Sequence, residues 1–253
     1  MLLSDKVIVV TGGASGIGYE CVKAYIKEGA RVAVLDIHPQ SIVELMKETG
    51  HRYLGLVCDV SSELQVKEAL QKIIDHYGVI DCIHNNAGIA TPSKALHETS
   101  TDEWHTLVNV NLFSIYLTTK YGFEYLKASR GCVVNTSSMV GNIGQELHAA
   151  YAATKGAVNA LTKSMAIDYA RFGIRVNAVA PAGVWTPTLR QWAQEQPNAS
   201  GIGEYLNGIH ALGYCPEGDV VADACVFLAS DKARFITGCI LPVSGGAELG
   251  YRR

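Results

Sequence analysis

In the stretch SSMVGNIGQELHAAYAATK, from Ser137 to Lys155, a hydroxyl, a phenol and an amine follow one another at Ser138, Tyr151 and Lys155. Tyr151 and Lys155 are four residues apart, so on a helix they share one face. A phenol with an unperturbed pKa of about 10 is almost wholly protonated at neutral pH. A close ammonium favours the phenolate, and a lowering by about 2–3 pH units corresponds to about 3–4 kcal/mol. A phenol so tuned can take a proton from an alcohol or return one to a ketone. The expectation is that Lys155 lowers the Tyr151 pKa and that Tyr151 serves as acid and base. Taken alone, Tyr-x-x-x-Lys is also what an ordinary amphipathic surface helix carries.

A second group lies near the N-terminus, in TGGASGIG from Thr11 to Gly18. Gly12, Gly16 and Gly18 permit a tight turn and close approach of the backbone to a ligand. A helix starting there offers unpaired N–H groups and a positive dipole end to a pyrophosphate. The spacing is GxxxGxG rather than the general GxGxxG. Asp36 stands where a carboxylate can accept both hydroxyls of an adenosine ribose. A 2′-phosphate there would meet that charge, a repulsion of about 4 kcal/mol at 4 Å and an effective dielectric near 20. Neither Ser15 nor Ile37 supplies a cation to offset it, so NAD is expected rather than NADP. Asp59 and Val60 are candidates to lie against the adenine. In NNAG (85–88), Asn86, Ala87 and Gly88 are candidates to lie beside the cofactor, although Asn85 and Asn86 equally suit loop-stabilising Asx turns.

These groups must be held by strands and helices. Apolar, Val- and Ile-rich runs at 6–11, 31–36, 53–60, 81–88, 131–138, 174–181 and 239–244 read as strands, the fourth running into a loop. Helical periodicity separates them, with capping boxes at Ser62/Gln65 and Ser100/Glu103. The second box opens a helix expected to end near Tyr121, and another is expected from Tyr151 to about Tyr169. Strands without polar alternation, each followed by a helix, imply a parallel sheet covered on both faces. The fold class is therefore α/β, a Rossmann-type doubly wound sheet in one domain spanning 1–253. A polar, aromatic-dotted insertion occupies about 184–213. Ligands bind such sheets at the carboxyl ends of the strands, where all the groups above are found.

Bulk properties exclude several classes. A formal net charge of −3 without a long basic run argues against nucleic acid or an anionic membrane as partner. No apolar stretch is long enough for a transmembrane helix, and the N-terminus lacks the basic region of a signal peptide. A protein starting at Met1 in the cytoplasm is expected. The seven cysteines form no CxxC pair and read as small buried hydrophobes. The eight histidines do not cluster with them along the chain, so no metal is expected.

TGGASGIG, the Asp59-Val60 pair, NNAG, VNVNL, NTSS, YAATK and APAGVWTP occur in that order over essentially the whole chain. On these motifs the sequence resembles the short-chain dehydrogenase/reductase family. The resemblance implies a nicotinamide cofactor and a catalytic tetrad of Asn111, Ser138, Tyr151 and Lys155. It implies that Ser138 holds the reacting oxygen, that Lys155 also bonds the nicotinamide ribose, and that Asn111 holds a water linking Lys155 to solvent. Gly12, Ser15, Gly16, Ile17 and Gly18 would meet the pyrophosphate side of the cofactor. Pro181, Val184 and Thr186 would meet its nicotinamide end. The family usually has Pro-Gly after the sixth strand. Here Pro181-Ala182 precedes Gly183, and a small backbone shift is expected. Ser244 stands where Asp is frequent, a position more often structural.

The expected reaction is interconversion of a secondary alcohol and its ketone. Val140, Gln145, His148, Trp185 and Trp192, with Ser138 and Tyr151, are the expected substrate contacts. Leu189, Tyr205 and His210 are further lining candidates. The segment EYLNGIH (204–210) resembles one in bacterial dehydrogenases of cyclic diols. The resemblance also implies a homotetramer. Two other readings use the same fold: an NAD-binding regulator or scaffold, which should show a broken tetrad, and an extended-type sugar epimerase or dehydratase, which tends to GxxGxxG spacing and a longer substrate domain.

Overall fold

In the computed structural model, residues 1–50, 52–196 and 198–250 are described. Seven strands form one sheet: β1 (Val7–Thr11), β2 (Arg31–Asp36), β3 (Tyr53–Val57), β4 (Cys82–Asn85), β5 (Cys132–Thr136), β6 (Arg175–Pro181) and β7 (Ile240–Val243). Their order is β3-β2-β1-β4-β5-β6-β7 and every pairing is parallel. The chain winds outward from β1 to β3, then returns to β4 on the other side of β1. The carboxyl ends of β1 and β4 therefore flank the switch point, where ligands bind in sheets of this kind.

At its centre the sheet is dry on both faces. Ile8, Val10, Val32 and Val34 pack under α1 (Gly16–Lys27), α2 (Pro39–Glu48) and α9 (Asp219–Ala229). The alternate residues Val7, Val9, Ala33 and Leu35 pack under α3 (Glu63–Tyr77), α5 (Ser114–Ser129) and α6 (Ala149–Ala170). This explains the absence of polar alternation in the central strands, which have no wet side, while the edge strands β3 and β7 are half-buried. Burying one such Val, Leu or Ile side chain stabilises the fold by about 1.5–3 kcal/mol.

The helix starts follow their chemistry, with two departures. Ser100 and Glu103 form the full capping box before α4 (Thr101–Val108). At α3, Ser62 accepts from the Gln65 N–H, but the Gln65 side chain takes the Asp59 N–H at 2.9 Å instead of closing the box. The helix expected to end near Tyr121 continues through a π turn at Asn109–Phe113 and α5 to Ser129. Gly122 does not stop it. That glycine lies against β4, where an added Cβ would overlap Ile83 Cδ1. The insertion carries α7 (Pro187–Glu195) and α8 (Ile202–Ile209). Among the described residues, no helix is long and apolar enough to cross a membrane.

Neither Asn85 nor Asn86 forms an Asx turn. Asn85 donates to Asn135 Oδ1 at 2.9 Å and accepts from Thr118 Oγ1 at 2.7 Å, while Asn135 donates to Thr162 Oγ1 at 2.9 Å. This buried ladder ties α5, β4, β5 and α6 together with its polar groups satisfied.

The Gly122 contact gives a stability prediction. Gly122→Ala should destabilise the chain by about 1–3 kcal/mol through overpacking, despite the better helix propensity of Ala. Ile83→Val removes the clashing atom, so in urea unfolding the double variant should be more stable than the sum of the two single effects. Simple additivity would show that the two side chains do not meet.

Candidate active site

The ends of β1 and β4 are clamped. Thr11 Oγ1 accepts from the backbone N–H of Asn86 at 3.0 Å and of Ala87 at 3.1 Å. Asn86 Nδ2 donates to the carbonyls of Thr11 at 3.1 Å and Gly12 at 3.0 Å. The glycines make this closeness possible. Gly12 has φ +60°, and a Cβ there would lie 2.9 Å from Ala87 Cα. A Cβ on Gly18 would overlap the Gly12 carbonyl and the Asn86 amide. Gly16, at φ +55°, has only the Thr186 side chain near its missing Cβ, at 3.5 Å, so the β1 and β6 ends meet there.

Asp36, buried at the end of β2, accepts from the Ala14 N–H at 2.9 Å and the His38 N–H at 3.0 Å. Its carboxylate therefore braces the glycine loop, and each oxygen retains a free lone-pair direction. Ser15 puts no side-chain cap on α1, leaving the first-turn N–H groups open to an anion. Ile37 is 55% exposed. Asp59 accepts from the Ser61 N–H and hydroxyl at 2.9 and 2.7 Å in a turn that leads into α3, and Val60 is buried. The loop, the carboxylate and the uncapped helix end suit a dinucleotide.

Tyr151 and Lys155 lie on α6, as the four-residue spacing requires. Tyr151 is half-buried, and its phenol is near enough to Ser138 for that hydroxyl to act on its proton affinity. Ser138 Oγ also lies 3.4 Å from the Pro181 carbonyl and 3.4 Å from the Val140 N–H. Lys155 is 4% exposed. Its ammonium donates to the Thr136 carbonyl at 2.8 Å and stands 5.7 Å from the Tyr151 ring centroid. Asn111, in the π turn, accepts from the Ile89 N–H at 2.8 Å and donates to the Ile89 carbonyl and Thr154 Oγ1 at 2.8 and 3.1 Å. Asn111 and Lys155 approach one another at Gly88, where a Cβ would lie 3.3 Å from Asn111 Oδ1 and 3.4 Å from Lys155 Nζ.

The electrostatics correct one expectation. Burial pushes the Tyr151 phenol above its ordinary value, and the Ser138 hydroxyl pulls the other way. Lys155 does not offset this, because its ammonium is directed at the Thr136 carbonyl and desolvation dominates. Burial also holds Lys155 down at about 8. At pH 7 the lysine is still about nine-tenths protonated.

On the substrate side, His148 Nδ1 donates to the Glu146 carbonyl at 2.9 Å, so Nε2 accepts the Ser93 hydroxyl at 2.9 Å. The His148 ring lies 6.4 Å from that of Tyr151, nearly perpendicular to it. Val140 is buried and Gln145 exposed. The Trp185 backbone N–H donates to the Pro216 carbonyl at 2.8 Å, and the Trp185 ring lies 5.1 Å from the Arg190 guanidinium, which pairs with Glu217. Trp192 is half-buried on α7. Val184 is buried, and Thr186 caps α7 by accepting the Leu189 N–H at 3.2 Å. Tyr205 is 61% exposed. His210 is buried, against Gly183 and Gly245.

Comparisons with known proteins agree with this geometry. A family model described as enoyl-(acyl carrier protein) reductase matches residues 12–248. The chain is 40% identical to L-fucose dehydrogenase of Bos taurus, over 99% of this chain and 92% of that one. It belongs to the short-chain dehydrogenase/reductase family. As a short-chain dehydrogenase/reductase it is an oxidoreductase acting on CH–OH groups. It is also 36% identical to 2,5-dichloro-2,5-cyclohexadiene-1,4-diol dehydrogenase of Sphingobium indicum, over 96% of this chain and 97% of that one. Among solved structures, 3-ketoacyl-(acyl-carrier-protein) reductase from Brucella melitensis complexed with NADH superposes with a TM-score of 0.90 at 29% identity, covering 97% of this chain and 99% of that one.

Sequence reasoning missed several participants of this short-chain dehydrogenase/reductase. Thr136 holds Lys155, Thr154 holds Asn111, and Ser93 holds His148. Thr136 and Thr154 lie inside the NTSS and YAATK motifs and were legible as neighbours. Ser93 and the π turn left no spacing signal. A grouping invisible along the chain is His84 with Cys21 and Cys225, three residues distant in sequence.

Lys155 yields a prediction with a definite sign. Its folded pKa of about 8 lies below the ordinary 10.5. Between those values the unfolded chain binds more protons, so stability rises with pH through that window. The full effect is about 3 kcal/mol, present as destabilisation below pH 8. Lys155→Met removes the titration but leaves the Thr136 carbonyl unpaired, which costs about 1–3 kcal/mol. The readout is therefore the slope: relative to wild type, the variant should lose about 2–3 kcal/mol between pH 7 and 10.5 in urea unfolding. Parallel pH profiles would show that Lys155 titrates normally.

Proposed function

We propose that the chain is an NAD-preferring dehydrogenase that interconverts a secondary alcohol, on a ring bearing more than one hydroxyl, with its ketone. The observation that carries this reading is the meeting of Ser138, Tyr151 and Lys155 beside the glycine loop. Gly12, Ser15, Gly16, Ile17 and Gly18 would hold the pyrophosphate, and Asp36 with Ile37 the adenosine ribose. Asp59 and Val60 would flank the adenine, Asn86, Ala87 and Gly88 the middle of the cofactor, and Pro181, Val184 and Thr186 its nicotinamide end. Bound there, NAD supplies the hydride acceptor.

The chain's own residues manage the proton. Ser138 Oγ holds the alcohol oxygen, and Tyr151 Oη takes its proton as the carbon gives up hydride. In the reverse direction Tyr151 returns it. Lys155, largely charged at neutral pH, is positioned to bond the nicotinamide ribose and to favour the phenolate once its ammonium is shared between them. Asn111, beside Lys155 at Gly88, belongs to the route by which the proton leaves. Preference for NAD rests on the Asp36 carboxylate and on the lack of a cation at Ser15 or Ile37.

Two relatives carry names that support the substrate class, one a sugar and the other a cyclohexadiene diol. Gln145 and the Ser93–His148 pair would meet the second hydroxyl, with Val140, Trp185 and Trp192 against the ring. Self-association belongs to the same reading. Ile167 on α6 is 79% exposed in a hollow of about 570 Å³ that it lines with Phe123, Tyr169 and Phe172 and with the charged Asp168 and Arg171, a surface suited to packing of copies in a homotetramer. Seven unpaired cysteines suit a reducing compartment such as the cytoplasm.

The test is absorbance of NADH with aldoses, cyclic diols and simple secondary alcohols as substrates. NAD should be preferred over NADP by about 100-fold, about 2.7 kcal/mol. Tyr151→Phe should lower turnover by about 100-fold or more with little change in NAD affinity. Near-normal turnover in that variant, or equal efficiency with NADP, would overturn the corresponding half of the proposal.

A further inference from the structure

On the sheet face covered by α1 and α9, a second constellation is fully buried. Cys21 comes from α1, His84 from β4 and Cys225 from α9, all with 0% exposure. Their ligand-capable atoms lie within 4.8 Å of one another. Cys225 Sγ is 3.9 Å from His84 Nε2. On the far side of the ring, the Tyr25 hydroxyl lies 3.1 Å from His84 Nδ1 and fixes the imidazole orientation. A hydrogen-bond partner on the distal nitrogen is the usual support of a metal-binding histidine. In the same core layer Cys82 and Cys132 face each other across β4 and β5.

We infer that Cys21, His84 and Cys225 form a binding site for a thiophilic d10 cation, Zn(II) or Cu(I). Two sulfurs and an imidazole nitrogen make a soft ligand set, whereas Mg(II) and Ca(II) require oxygen. Zinc at about 2.3 Å from sulfur and about 2.0 Å from nitrogen places tetrahedral ligand atoms about 3.5–3.8 Å apart. The Cys225–His84 separation is already close to this, and side-chain rotation of Cys21 closes the rest. His84 Nε2 also lies 3.0 Å from Thr136 Oγ1, a contact the hydroxyl must yield while retaining Asn86 Oδ1 at 3.4 Å. Binding replaces the two thiol protons, which pass to solvent, and involves no change of oxidation state. Because the site is closed, the ion enters while the chain folds. It would then rivet the glycine-loop helix to α9 and β4, on the opposite side of the sheet from Lys155.

The experiment uses the full-length chain without an affinity tag, denatured, reduced, and refolded in three arms: with Zn(II), with Cu(I), and with chelator alone. Unbound metal is stripped before analysis. One ion per chain should remain in at least one metal arm, and Tm should exceed that of the chelator arm by about 5 °C or more. Cys21→Ala and Cys225→Ala should each retain less than about a tenth of an ion, while Cys239→Ala retains one. Refolding wild type with Co(II) gives a second readout that does not depend on the variants folding: a thiolate-to-metal charge-transfer band should appear. No retained metal in either arm together with no such band overturns the inference. So does full retention by both cysteine variants, or a Cys21–Cys225 disulfide in the protein as isolated.

Discussion

An ammonium withdrawn almost wholly from water is costly, and Lys155 is held in that condition. Its position requires an acceptor at the right place, and Thr136, the last residue of β5, supplies its carbonyl. That carbonyl is free because the strand ends there and the chain turns toward Ser138. The strand end thus fixes Lys155, Lys155 fixes the register of α6, and α6 carries Tyr151 to Ser138. Burial acts on both titrating groups, pushing the phenol up and holding the amine down. The protein alone therefore keeps a neutral phenol beside an ammonium that loses its proton easily.

The rest of the fold makes that end of the sheet rigid. Thr11, Asn86 and the glycine loop lock β1 to β4, and Asp36 braces the loop from β2. On the α5/α6 side, the ladder through Thr118, Asn85, Asn135 and Thr162 is polar but satisfied. Such a network fixes lateral position in a way that interchangeable aliphatic contacts do not. The π turn carrying Asn111 departs from regular helical pairing next to the same site, where such turns frequently occur.

Much of this was legible because each signal was local. Apolar runs without alternation implied a sheet buried on both faces, and helix periodicity with Ser62 and Ser100 marked helix starts. The Tyr151–Lys155 spacing placed two side chains on one face of α6. The errors have a common cause, which is that their deciding contacts are distant in sequence. The helix expected to end near Tyr121 runs on to Ser129, because Gly122 lies against β4 rather than ending the helix. For Asn85 and Asn86 the turn reading stayed open beside the cofactor one, because their partners across the strands are distant in sequence. His84 and the cysteines of α1 and α9 have no recognisable spacing, because only the crossovers bring them together. The pKa of Tyr151 was misjudged for a related reason: spacing reveals a neighbouring charge but not how deeply both groups are buried.

The balance between burial and the lysine charge can be measured on the phenol itself. Absorbance of the phenolate band, recorded against pH for wild type and for Tyr151→Phe without cofactor, isolates one tyrosine by difference. The account predicts no phenolate step from Tyr151 below about pH 10 in the protein alone, since desolvation outweighs Lys155 there. A single-tyrosine step near pH 7–8 in cofactor-free protein would contradict it, and would show that the ammonium, rather than burial, sets the proton affinity of the site.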